Sequence, residues 1–253
     1  MKILFALFLL LHFRSAGAQQ PPSLETLLPR LYAYAQNYRA TLPSLTCDES
    51  IASQVVKNAK VSKEMKIEST LTEVRDRSEP DPFTEHHAFK TVDGKPVKPH
   101  FKVPYLMQGG FANGVGFGRP TTQGCFDYHL DSLDGGATLR LEADLKPGTS
   151  DPQCNEFPDG ARKTVLVDAA TGRITHVERT ISAKASKQGN EAYFYSIDYG
   201  PQKLGDETFW LPVKMISHDP GDAGRMIVTY SNFHRFTGEI KVLPGSDPNP
   251  RNP

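Results

Sequence analysis

Residues 137–145 read Ala137-Thr138-Leu139-Arg140-Leu141-Glu142-Ala143-Asp144-Leu145, a strict alternation of apolar and polar side chains. A pleated strand turns successive side chains to opposite faces. The period of two therefore predicts a half-buried strand with Leu139, Leu141 and Leu145 on its dry side. Strands of this kind belong to antiparallel sheets with one face on a core and the other in water.

The pattern spreads in both directions. Upstream, Met65, Ile67 and Leu71 alternate with Lys66, Glu68, Thr70 and Thr72. Phe83, Glu85, His87 and Phe89 form another run, followed by Asp93-Gly94, a strong hairpin turn. Downstream, 164–168 and 173–182 flank a turn at Thr171-Gly172, and three further runs cover 191–199, 209–217 and 226–236. Short Gly- and Pro-bearing turns separate them, so neighbours pair antiparallel. One helix is visible near the start. Leu24, Leu27, Leu28, Leu31, Ala35 and Tyr38 fall on one stripe, with Ser23 as N-cap and Pro43 as stop. Pro29 either kinks this helix or marks a second start. One helix against roughly eight or nine strands predicts a mainly β (α+β) chain: a curved antiparallel sheet or half-barrel wrapped around one N-terminal helix. A single β-rich domain over 19–240 accommodates it, with a disordered Pro- and Asn-rich tail at 241–253.

The first residues bear on compartment. Lys2, the apolar run Ile3 to Leu11 and the small-residue site Ala16-Gly17-Ala18 have the layout of a secretory signal peptide, residues 1–18, cleaved near Ala18. A periplasmic or secreted chain meets few intracellular cofactors and can form disulfides. The sequence holds 29 basic and 29 acidic residues. That balance gives no phosphate-tracking field and argues against a nucleic-acid partner. No other apolar run approaches spanning length, so stable membrane insertion is not expected. Of the three cysteines, Cys125 and Cys154 bracket a turn-rich hairpin and are the expected disulfide. Cys47 is left as either a reactive thiol or a small buried hydrophobe.

Reaction signatures are missing. The glycine-rich stretch 108–120 lacks the third glycine of a dinucleotide loop, and Pro120 spoils the helix start. It reads as a mobile surface loop or lid, with Phe111 and Phe117 dipping toward an apolar space. His86 and His87 are adjacent in a strand and point to opposite faces. No H-E-x-x-H, G-x-S-x-G or S-x-x-K occurs, and nothing calls for a metal or cofactor. The aromatic and aliphatic stripes (Tyr193, Tyr195 and Tyr199 with Ile197; Phe209, Leu211, Val213 and Met215) are either plain core or the lining of a ligand cavity. On the cavity reading its walls are Met65, Ile67, Leu71, Leu139, Leu141, Trp210 and Phe233.

A family resemblance covers roughly residues 130–236. Val167-Asp168-Ala169-Ala170-Thr171-Gly172-Arg173-Ile174, then Phe209-Trp210-Leu211-Pro212-Val213, then Val228-Thr229-Tyr230-Ser231-Asn232-Phe233-His234-Arg235-Phe236 resemble, in order, the motifs of the periplasmic lipoprotein-carrier (LolA/LolB-like) superfamily. The stretch from Leu42 to Glu49, with Gly109-Gly110-Phe111, is similar to uncharacterised secreted proteins of the acidobacterial kind. The carrier resemblance implies a half-barrel with an apolar interior that holds acyl chains or lipidated partners. Two other readings stay open: an envelope interaction protein whose core is filled by its own side chains, and a hydrolase assembled from distant residues.

Overall fold

The alternating stretch forms strand β6 (Thr138–Leu145), with Leu139, Leu141 and Ala143 buried and Arg140 exposed. The computed structural model describes residues 22–57, 60–76, 83–98, 101, 103, 110–181, 193–218 and 224–236. The expected signal segment and tail lie outside them. The other strands are β1 (Leu45–Lys57), β2 (Lys60–Arg75), β3 (Phe83–Val92), β4 (Lys95–Pro96), β5 (Phe126–Leu133), β7 (Ala161–Asp168), β8 (Ile174–Ile181), β9 (Tyr193–Leu204), β10 (Glu207–His218) and β11 (Arg225–Arg235).

All eleven join one antiparallel sheet in the order β4-β3-β2-β1-β11-β10-β9-β8-β7-β6-β5. Strand β1 pairs with β2 on one side and with β11 on the other. Strands β4 and β5 are the two edges, so the sheet stays open as a curved half-barrel.

The registers line up into rows that cross the sheet. One row runs Leu130, Leu141, Val165, Val177, Ile197, Met215, Val228, Ile51, Ile67 and Val92, each opposite the next. Every member is apolar, and all but the two end residues are buried. This row is the floor of the core. Helix α1 (Leu24–Thr41) lies on it with Leu27, Leu28, Leu31, Ala35 and Tyr38 buried. Pro29 sits inside the helix, and the helix ends one residue past Ala40, with Leu42 as C-cap. Ser23 occupies the N-cap with an extended backbone; its hydroxyl meets Thr26 Oγ1 at 3.2 Å and caps no backbone amide.

The glycine-rich stretch corrects an expectation. Phe111 and Phe117 do dip into the apolar interior, and with Ala112 and Val115 they are buried core residues rather than parts of a surface lid. A single helix cannot cover eleven strands, and this segment adds to the cover that α1 provides. The ring of Phe111 meets Tyr230 edge-on at 5.4 Å and lies 6.4 Å from Phe233. At Gly118 (φ +71°) an added Cβ would stand 3.0 Å from the carbonyl oxygen of Leu28. The segment and α1 thus touch backbone to backbone, which only glycine permits.

The stripe on β10 is also altered. A bulge between Pro212 and Lys214 leaves Val213 out of the pairing and only half-buried, while Leu211 and Met215 are buried on either side of it.

Candidate functional site

Beside the apolar floor runs a second row of different chemistry. Tyr128 (β5), Ala143 (β6), Lys163 (β7), Arg179 (β8) and Tyr195 (β9) stand opposite one another in turn. All five line one cleft of about 380 Å³. Its other walls are Tyr32, Ala35, Gln36 and Arg39 of α1, the stretch Gly116–Arg119 with Thr122, and Phe126, Glu156, Phe157, Val177 and Glu178. The size is in the range of small-ligand sites.

At one end Lys163 sits between two rings. Its Nζ lies 4.5 Å from the centroid of Phe157 and 5.3 Å from that of Phe126, and the rings meet at 4.9 Å. Such contacts stabilise a buried ammonium by about 0.5–2 kcal/mol. The disulfide holds this arrangement. The expected Cys125–Cys154 bond is formed. Cys125 directly precedes Phe126, and Cys154 lies in the 3₁₀ turn Pro152–Glu156 that ends just before Phe157. The crosslink therefore ties together the two segments that carry the rings.

Electrostatics in the cleft are unbalanced. Burial, then the nearby Arg179 guanidinium, pulls the Lys163 ammonium down to about 8. Burial pushes the Tyr128 hydroxyl up to about 12 and raises Tyr195, which accepts from Arg179. The Nε of Arg179 is buried without an acceptor among the described residues. Arg119 is paired with Glu156 at 3.4 Å, both partly exposed. That ion pair divides the cleft from a neighbouring recess of about 330 Å³ lined also by Thr121, Pro152 and Gln153.

Solved structures with a similar chain path exist. A LolA superfamily protein from Nitrosomonas europaea is 13% identical with a TM-score of 0.39, the match covering 86% of this chain and 96% of that one. A putative outer membrane lipoprotein-sorting protein domain from Vibrio parahaemolyticus is 14% identical with a TM-score of 0.40, covering 86% and 95%. A DUF1329 family protein from Desulfovibrio piger is 12% identical with a TM-score of 0.38, covering 84% and 94%. No family model and no curated protein matches the sequence.

The seven residues expected as cavity walls lie elsewhere. Met65, Ile67, Leu71, Leu139, Leu141 and Phe233 are buried in the core cluster, and Trp210 is half-buried under the Arg173 guanidinium, 4.4 Å from its ring. None of the seven lines the cleft. What the sequence reading missed is the cross-strand row. Lys163 and Arg179 each look like a surface cation in isolation, and only the register of the β7–β8 hairpin brings them together.

A second polar cluster lies under the glycine-rich segment. Glu49, Ser69 and Glu73 are buried on the inner face of β1 and β2. His87 Nδ1 lies 2.9 Å from Glu49 Oε2, its Nε2 lies 3.9 Å from Glu85 Oε2, and Glu85 Oε1 accepts the backbone N–H of Phe111 at 2.9 Å. Burial alone would lower the His87 pKa, but the bond to Glu49 and the two carboxylate charges outweigh it and hold it above the ordinary value. Cys47 is buried nearby, and burial with the charge of Glu49 pushes its thiol well up, which disfavours the nucleophilic thiolate. Among the described residues no group of three or more His, Cys, Asp or Glu is placed to hold a metal, and no helix is long and apolar enough to cross a membrane.

Proposed function

We propose that the protein is an exported, non-enzymatic binding protein that holds an acyl chain, a lipid or a lipidated partner in the cleft between α1 and the β5–β9 half of the sheet. The observation that carries this reading is the cleft itself. Its volume of about 380 Å³ is that of a small-ligand site, and its lining sets aromatic and aliphatic walls (Phe117, Phe126, Phe157, Val177) beside a larger set of polar and charged groups, which suits a ligand with both an apolar and a polar part. The layout of residues 1–18 supports export to the periplasm or beyond. The carrier resemblance of residues 130–236 points to the same class of cargo.

The test is direct. Protein purified from an envelope fraction and sprayed under native conditions should carry an extractable acyl-bearing ligand, or take up a fluorescent fatty-acid probe that Phe157→Trp quenches. A protein that is empty and ignores such probes would sink the reading.

A second reading has its own support. The expected cavity walls are packed core, with α1 and residues 111–117 filling the trough. An interaction protein with a filled core fits that packing, and it predicts no probe uptake together with capture of a protein partner by crosslinking.

A further inference from the structure

Lys163 and Arg179 are direct cross-strand partners on the inner face. Like charges placed directly opposite each other in an antiparallel pair repel, and sheets avoid the arrangement unless something else is gained. The usual remedy is a carboxylate between them. Among the described residues Lys163 has only ring faces, Phe126 and Phe157, as contacts for its ammonium, and Arg179 leaves its Nε without an acceptor. Glu156, the carboxylate whose charge acts on Lys163, lines the same cleft but pairs with Arg119 at 3.4 Å and is itself half in solvent. Lys163 and Arg179 thus face one cleft whose wall carboxylate Glu156 is already paired with Arg119. Buried charge of that kind is tolerated when a ligand supplies its counter-charge.

The surroundings say what else the ligand carries. On one side of the pair lie Phe126, Phe157 and Ala143; on the other, Val177 and Tyr195, with Ala35 and Phe117 above. Bare inorganic anions gain nothing from such walls. We propose that the cleft binds an acyl chain ending in an anionic oxygen head, carboxylate or phosphate, with the head between Lys163 Nζ and the Arg179 guanidinium and the chain along the aromatic walls. This deepens the binding reading given above and rests on it. Arg179 supplies the planar fork that suits two head oxygens, and Lys163 supplies a point charge held in place by its two rings.

Titration of the full-length mature protein with four probes tests it: hexadecanoate, hexadecyl phosphate, hexadecanol and inorganic phosphate. Both anionic amphiphiles are expected to bind at least tenfold more tightly than hexadecanol, and inorganic phosphate not measurably. In Lys163→Met that preference for the anionic heads over hexadecanol should fall about tenfold, and Arg179→Met should behave alike. Circular dichroism melts of each variant confirm the fold. Equal affinity for hexadecanol and the two anions overturns the proposal while leaving amphiphile binding intact. Binding of phosphate alone as tight as of its hexadecyl ester overturns it as well, in favour of a free-anion site. If no amphiphile binds at all, the parent reading of function fails, and this one with it.

Discussion

His87 Nδ1 lies 2.9 Å from Glu49 Oε2 inside the sheet, with the two side chains only 6% and 1% exposed. The pair sits beneath the glycine-rich segment, whose Phe111 amide is bonded to the adjacent Glu85. Because the folded-state pKa of His87 is raised, the native state holds its proton more tightly than the unfolded chain does. The stabilisation is full below the ordinary histidine value and is lost as pH rises through the raised one. Urea unfolding of the wild type should therefore show a decline in stability across the neutral range that His87→Gln lacks. Breaking the pair leaves Glu49 buried and unpaired, at a cost of about 3 kcal/mol near pH 6. A variant with the wild-type pH profile would show that His87 does not carry this linkage.

Lys163 gives the opposite sign. Its ammonium titrates near 8 in the fold, below its ordinary value of 10.5. Between those values the unfolded chain keeps a proton that the native state has released, so stability rises with pH across that window. In ligand-free protein, Lys163→Met should stay within about 1 kcal/mol of wild type at pH 7, because lost ring contacts offset relieved repulsion. It should also flatten the rise above pH 8. Chemical denaturation at pH 7, 8.5 and 10 separates the two curves.

Removing the disulfide should do more than loosen the chain. Cys125→Ala with Cys154→Ala opens a loop of sequence separation 29. The chain-entropy account gives a loss of about 3–4 kcal/mol. Since the crosslink also ties Phe126 to Phe157, ligand uptake in the cleft is expected to weaken under conditions where the variant is still folded. Unchanged uptake in the folded variant would show that the ring pair holds itself together.

Gly118→Ala tests the contact between the glycine-rich segment and α1. The residue has φ +71°, and a Cβ would stand 3.0 Å from the Leu28 carbonyl oxygen, a backbone atom that cannot swing aside. A loss of about 1–3 kcal/mol is expected, read from thermal melts. For comparison, Leu141→Ala, at a fully buried position of the apolar row, should cost about 2–5 kcal/mol.

The sheet was plain in the sequence because its inner positions obey the pleat. Leu139 and Leu141, Met65, Ile67 and Leu71 all point where their alternation says, and α1 buries the stripe its spacing marks. The disulfide followed from turn-rich flanks. Other features resisted for identifiable reasons. Glu49 and Glu73 are buried, whereas a carboxylate in a strand reads as an outward residue; tertiary partners such as His87 decide otherwise. Phe111 and Val115 sit among glycines, which read as loop, yet their burial is dictated by the trough that one helix leaves uncovered. Val213 was assigned to the inner face, but a bulge adds one residue and shifts the phase. The facing of Lys163 and Arg179 depends on pairing register, which local pattern does not encode.

The seam between β1 and β11 has a consequence for how the molecule is made. Leu45 pairs with Arg235, and Asn232 Nδ2 donates to Asp48 Oδ2 across 184 positions of sequence. Among the described strands the two flanks of the sheet are hydrogen-bonded to each other through this seam alone, so a nascent chain can build hairpins early but cannot complete its sheet until the last strand has been synthesised. Late closure of this kind makes for slow folding. Until the carboxyl-terminal strand is made, the two flanks cannot close into one sheet.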